Sequence, residues 1–431
     1  MGTEAHHQLI ASENEHEKLT RDVTPNERLE VVKHVVVVTS SRADYGHLFW
    51  PMKDIEASTS LRLSVVVMGA HLSSRFGNTV KFIERDGFAV AARVDCLDPD
   101  DSDRGMARTI GEATTKLTDV LVRLQPDILL VIADRYEMLA PASVALALRI
   151  PIAHIEGGDI SEGAIDDAVR NALTKMSHLH FSPTEVARRR VLAMGEEQWR
   201  VVWTGAPSLD HLRRSTRPDR RQLESAIGLE MSGKVCVVAY HAVTLHRETT
   251  TELNALFASL ESWGHQMVFC FPNADAGSSE IVRRAEAFCA RRDNANLYVN
   301  LDHLTYWALL EHAELMVGNS SSAIMETPSL LLPAVDVGDR QRGRTRADNV
   351  VYAPAAADAI TAAMRRVTTP EFRTSLKGLV NPYGDGRASE RIVRSLIDAP
   401  GREVLIHKRA LELDSSGAKF VQIHEDSARP L

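Results

Sequence analysis

Acidic residues recur where apolar runs end in the first half of this chain. Asp134 leaves the run 128–133 within Ala133-Asp134-Arg135-Tyr136-Glu137, and Glu156 leaves the next run within His154-Ile155-Glu156-Gly157-Gly158-Asp159. Asp166 and Asp167 then lead into a helical pattern, 168–177, that carries Arg170. An Asp leaving an apolar strand can simply cap the following helix. So many carboxylates at neighbouring strand ends exceed what capping needs. Repulsion among them raises at least one pKa, as acid–base chemistry at neutral pH requires. A metal site is the competing reading of acids beside His154. It ranks lower, because no HxxxH or HxxE pair sits among them as a ligand set.

Other chemistry-bearing residues stand at other run ends. The first run closes in Ser40-Ser41-Arg42-Ala43-Asp44-Tyr45-Gly46. A dinucleotide fold needs spaced glycines there for the pyrophosphate to approach the backbone. One glycine and an arginine fit an Arg that meets a phosphate or a base; the bland reading is Arg42 and Asp44 pairing with each other or capping a helix. In the second half, His241 ends one run and Phe271-Pro272-Asn273-Ala274-Asp275 another. Gly318-Asn319-Ser320-Ser321-Ser322 turns into an apolar helix holding Glu326, where free N–H groups, hydroxyls and a helix dipole suit an anion. Gly338-Asp339-Arg340-Gln341-Arg342-Gly343-Arg344 brings three arginines to a further strand end, where a diphosphate can be met bidentately. Acids in the first half and diphosphate binders in the second describe a nucleotide-sugar cleft.

The elements that must hold these groups follow from periodicity. Short β-branched runs at 34–40, 63–69, 89–96, 128–134, 150–158 and 178–184 alternate with helical patterns such as 106–124 and 137–148. Runs at 234–241, 266–273, 297–301, 314–320 and 334–338 repeat the arrangement with helices 249–262, 278–291 and 303–312. Near-continuous apolar runs between helices predict parallel sheets covered on both faces. The expected fold is α/β, two doubly wound Rossmann-like domains at 31–206 and 207–389 facing a cleft, after a polar tail at 1–30 and before a helix and tail at 390–431. Ligands of such sheets bind at the carboxyl ends of strands.

Composition narrows the class. The 431 residues are 44% hydrophobic and 25% charged, enough to bury a large core. Fifty Lys and Arg against 58 Asp and Glu leave a net charge of −8, without the basic footprint of a nucleic-acid binder. No apolar stretch approaches the roughly 20 residues of a membrane helix. An acid-rich N-terminal stretch without an apolar run argues against a secretory signal, and four scattered cysteines argue for free thiols. A cytoplasmic protein is expected.

Taken together, SRADYG (41–46), ADRYEMLA (133–140), AHIEGGDISEGAIDD (153–167), TKMSHLHF (174–181), PNADAGS (272–278), GNSSS (318–322) and GDRQRGRTRADNV (338–350) resemble the UDP-N-acetylglucosamine 2-epimerase family, in its hydrolysing branch. This sequence has Ser40, Asn171, Ala242 and Ala323 where the family usually has Gly, His, Pro and Gly. The resemblance implies a glycosyltransferase-B-like fold and conversion of UDP-GlcNAc, or a related UDP-2-acetamido sugar, into UDP and the free 2-epimer through a glycal. It implies catalytic roles for Asp134, Glu156, Asp166 and His241. It implies nucleotide contacts from Arg42, Arg135, Asn273, Ser320, Ser321, Glu326 and Arg340. No metal or redox cofactor is implied, and a homodimer or homotetramer is expected. A sugar transferase of the same fold and a non-catalytic nucleotide-sugar binder are the rival classes. Release of free sugar without an acceptor separates the first, and retention of three carboxylates argues against the second.

Overall fold

The computed structural model describes residues 32–231, 233–245, 250–270, 275–298 and 301–409, with backbone alone at 412–413 and 420–421. Valine repeats build the first strand. In β1, Lys33–Thr39, the side chains of Val35 to Val38 are all fully buried, because helices cover both faces of the sheet. β2 (Leu61–Met68), β3 (Val90–Val94), β4 (Ile128–Ile132), β5 (Ile152–Ile155), β6 (Leu179–Ser182) and β7 (Val201–Trp203) complete a sheet in the order 3-2-1-4-5-6-7. Every pairing in it is parallel.

A second parallel sheet has the order 10-9-8-11-12-13. Its strands are β8 (Val235–Ala239), β9 (Gln266–Cys270), β10 (Ala295–Tyr298), β11 (Leu315–Gly318), β12 (Ala334–Val337) and β13 (Val350–Ala353). The two doubly wound sheets match the fold class expected from the alternating runs. β13 has no counterpart among the expected runs; its end residues Val350 and Ala353 are buried and Tyr352 is exposed. The helix Arg42–Ala57 follows β1 directly, beginning at Arg42 itself. Its start is fixed by a capping box, in which Ser41 accepts from the Asp44 N–H and Asp44 accepts from the Ser41 N–H at 3.1 Å. Such a box contributes about 1 kcal/mol.

Helical spacing decides what covers the sheets. On the helix Asp103–Leu124, Ala113, Leu117 and Leu121 recur on one face and are fully buried against β1, β2 and β4. On the opposite face, Leu48, Met52 and Ile55 of the helix Arg42–Ala57 pack beside Ile392, Val393 and Leu396 of the helix Ala388–Asp398. The chain therefore returns to the first sheet after completing the second.

The order of each sheet reverses between β1 and β4 and again between β8 and β11. Ligand crevices form at such reversals. Two loops lock across the resulting cleft. A Cβ on Gly163 would stand 2.3 Å from the Asp339 carbonyl oxygen, and one on Gly343, at φ +85°, 2.5 Å from Ile160 Cγ2. Glycine at 163 lets two backbones touch, and glycine at 343 takes a left-handed φ against the Ile160 side chain. The Glu162 N–H donates to the Arg342 carbonyl at 3.1 Å across the same seam.

Candidate active site

β4 and β5 end in strain. Ala133 has φ +58° and Glu156 has φ +68°, the left-handed region that L-residues rarely occupy. Each costs on the order of 1–3 kcal/mol, and such strain gathers at functional sites. It is held from beneath by His154, whose Nε2 meets the Ala133 carbonyl at 2.8 Å. Burial pushes the His154 ring down to about 4, so the neutral ring donates there. His154 is thus a packed support of the turn. Among the described residues, no three His, Cys, Asp or Glu side chains converge to hold a metal.

Asp134, Glu156 and Asp166 line one cavity together with Arg340 and Arg344. Their charges are set differently. Burial works against the charge on Asp134, but Arg170, Arg344 and Arg340 outweigh it and hold its carboxyl below the usual range. Asp166 is buried too. Burial and the neighbouring Asp134 outweigh Arg340 and push Asp166 up to about 6. Two acids of one cavity are thereby moved in opposite directions, the arrangement that separates a carboxylate from a carboxylic acid near neutral pH.

Arg170 organises this corner. Its guanidinium is fully buried and donates to Asp134, to Asp167 at 3.2 Å, to Ser161 Oγ at 2.9 Å and to the Asp159 carbonyl at 3.0 Å. Asn171 donates to Asp167 at 3.2 Å, keeping a neutral polar contact at that position. The three arginines after Gly338 divide their work. Arg340 bonds Asp166 at 3.1 Å and the Asn319 carbonyl at 3.2 Å, Arg344 pairs with Asp159 at 3.0 Å, and Arg342 stays outside on Glu162. The sequence assigns Arg340 to a diphosphate; the fold stands it among the acids, at the border of the two sites.

A second cavity adjoins the first and shares His47, His241 and Ser321 with it. Arg42, Ser320, Ser321 and Glu326, for which nucleotide contacts are expected from the resemblance, line this one cavity. Arg42 donates to the Leu301 carbonyl at 2.7 Å and leans over the Tyr306 ring. Asn319 supports His241 through both main-chain groups, accepting its N–H at 2.7 Å and donating to its C=O at 2.9 Å. Burial, then Arg340, push His241 down to about 3, so its ring is neutral. The helix expected to hold Glu326 is one turn, Ser322–Met325, and Glu326 follows it, accepting from Ser208 Oγ at 2.6 Å.

Arg135 lines the acid cavity instead, paired with Asp275 at 2.5 Å and Glu137 at 3.0 Å. It links the two lobes. Asn273 lies outside the described residues. His47 and Ser208 belong to the site and carry no sequence signal of their own, since each is a common residue outside a spaced motif. Arg344, the third arginine of the run singled out in the sequence, lines the acid cavity.

The UDP-N-acetylglucosamine 2-epimerase family matches residues 53–397. The chain is 31% identical over 384 residues to the GDP/UDP-N,N'-diacetylbacillosamine 2-epimerase (hydrolyzing) of Campylobacter jejuni, spanning 88% of this chain and 99% of that one. It is 32% identical over 380 residues to the UDP-N,N'-diacetylbacillosamine 2-epimerase (hydrolyzing) of Legionella pneumophila, with coverage of 88% and 99%. Among solved structures, the UDP-GlcNAc 2-epimerase of Neisseria meningitidis bound to UDP-GlcNAc has a TM-score of 0.71 at 20% identity, covering 85% of this chain and all of that one. The UDP-GlcNAc 2-epimerase of Methanocaldococcus jannaschii, in complex with UDP-GlcNAc and UDP, matches at a TM-score of 0.71 and 17% identity. These structures share the fold.

Proposed function

We propose that this chain, which belongs to the UDP-N-acetylglucosamine 2-epimerase family, turns over its substrate in the cavity of Asp134, Glu156 and Asp166 with the nucleotide in the adjoining cavity. It is a hydrolysing 2-epimerase of a UDP-sugar. The observation that carries the site assignment is the convergence of three carboxylates from separate strand and helix ends beside a cavity lined by Arg42, Ser320, Ser321 and Glu326.

In this reading a carboxylate takes the C2 proton while the C1–O bond breaks, its electron pair leaving with UDP. The C1–C2 double bond of the glycal forms. Water then adds its oxygen to C1, and a proton returns to the opposite face of C2, giving the free 2-epimer. Arg340, between Asp166 and the turn at Asn319, can meet charge developing on the leaving diphosphate. The neutral His241 ring lies between the two cavities and can hydrogen-bond there without adding charge.

The substrate is a UDP-2-acetamido sugar. The Campylobacter and Legionella relatives put UDP-N,N'-diacetylbacillosamine first in a substrate panel and UDP-GlcNAc second. Incubation with the panel, following UDP release and product stereochemistry by NMR, tests the reading. Release of the 2-epimer without any acceptor is expected; transfer only to an added acceptor would make the protein a glycosyltransferase. No helix among the described residues is long and apolar enough to cross a membrane. The free cysteines fit a reducing cytoplasm. A homodimer or homotetramer is the proposed assembly, read directly by light scattering.

Two further outcomes concern the nucleotide, with Ser320 in its cavity and Arg340 at the border of the two. Arg340→Ala and Ser320→Ala are each expected to weaken UDP binding by about 1–3 kcal/mol, through loss of a hydrogen bond to a charged group. Calorimetric titration with unchanged affinity in both variants would remove these residues from the nucleotide site. Activity is also expected to survive EDTA, because guanidinium and hydroxyl groups are there to receive the diphosphate. Loss of turnover restored only by a divalent ion would contradict this.

A further inference from the structure

His47 stands on the helix Arg42–Ala57, and its ring lines both cavities. Nδ1 is 2.7 Å from Glu156 Oε1 on the first lobe, and Nε2 is 3.8 Å from Glu326 Oε1 on the second. Both glutamates are buried. Among the described residues, His47 is the only hydrogen-bond partner of the Glu156 carboxylate. Glu326 Oε2 is buried with no partner among them. A neutral imidazole donates from one nitrogen, whereas an imidazolium donates from both. Carboxylates on opposite sides of one ring select the imidazolium.

The surrounding charges agree. Asp44 adds a third negative charge from the same helix. His211, on the helix Asp210–Arg214 and bound to the neighbouring Gly46 carbonyl at 2.9 Å, is pushed down to about 3 by burial and adds none. Burial opposes a charge on His47, but Glu156, then Glu326 and Asp44, outweigh it and push the ring up to about 9.

We propose that His47 is a positioning residue of the reaction, a cation that ties Glu156 on the sugar side to Glu326 on the nucleotide side. The proposal rests on the function read above. Its physical content is aim. The backbone of Glu156 is strained, and the side chain is anchored at one point, so removing that anchor frees the carboxylate from the C2 proton. The serine turn and Ser208 are untouched by the change, so UDP should still bind.

The test compares kcat, KM and UDP affinity in the full-length wild type and in His47→Ala, His47→Gln and His47→Lys. The Ala and Gln variants should lose about 10²-fold in kcat, the effect of misplacing a reacting group by about 1 Å. His47→Lys keeps a cation and should recover at least about tenfold of that loss, with UDP affinity changed by less than about threefold in all three. The wild type should lose activity as pH rises through about 9, where the ring gives up its proton, and that fall should move upward in His47→Lys. Should the wild type release no UDP from any UDP-2-acetamido sugar, the functional reading fails and the proposal falls with it. If the wild type turns over but His47→Ala keeps its kcat, Lys does no better than Ala, or UDP affinity falls in step with kcat, the function stands and the role given to His47 is overturned.

Discussion

Replacing Asp134, Glu156 or Asp166 by its amide is expected to lower turnover by about 10²–10⁴ for at least two of the three positions. Breaking C2–H needs a base on one face of the sugar, and inversion needs an acid on the other. One carboxylate cannot easily serve both. Asp134→Asn, Glu156→Gln and Asp166→Asn keep shape and hydrogen bonding but cannot exchange the proton, so they isolate proton transfer from binding. UDP affinity should persist, because the hydroxyls and cations of the nucleotide cavity are left in place. In deuterium oxide the wild type should place one solvent deuterium at C2 of the product, read by NMR. A product without deuterium at C2, or three amide variants with normal turnover, would end the elimination–hydration mechanism.

The second large effect is expected at Arg170. Its guanidinium is fully buried and serves Asp134, Asp167, Ser161 and the Asp159 carbonyl at once. Arg170→Met fills similar volume but strands buried acceptors, and breaking one half of such a buried pair costs about 3–5 kcal/mol. Arg170→Lys keeps the charge and loses the planar fork, so it should recover only part of the loss. Urea denaturation at pH 7 measures both. The sign of the pH dependence follows from Asp134, whose carboxyl is held below its usual range in the folded protein. A depressed carboxyl stabilises above its unfolded pKa and stops doing so as pH falls through the folded value. The gap between wild type and Arg170→Met should therefore be full at pH 7 and shrink below about pH 4. A destabilisation under about 1 kcal/mol at pH 7 would show that the carboxylates do not depend on Arg170.

Much of this protein was legible before any fold was known. Val35–Val38 or Ile128–Ile132 can hardly be anything but strands buried on both faces, because an unbroken β-branched or apolar run has no face to offer water. Strands alternating with helices dictate parallel sheets, and parallel sheets carry their chemistry at strand ends. Asp134, Glu156, His241 and the serine turn could therefore be singled out from chain order alone.

What the tertiary structure decided is company and charge. Arg340 and Ser320 both follow strands of the second sheet, yet Arg340 bonds Asp166 while Ser320 lines the neighbouring cavity. Nothing in spacing tells these apart, because the division depends on how the seam between Gly163 and Gly343 closes. His47 is one more residue of an amphipathic helix until Glu156 and Glu326 arrive from β5 and from beyond β11 to flank it. Asp134 and Asp166 are identical side chains in sequence. Their pKa values move apart because burial and guanidinium groups act on each in different proportion, and that proportion exists only once the lobes are packed.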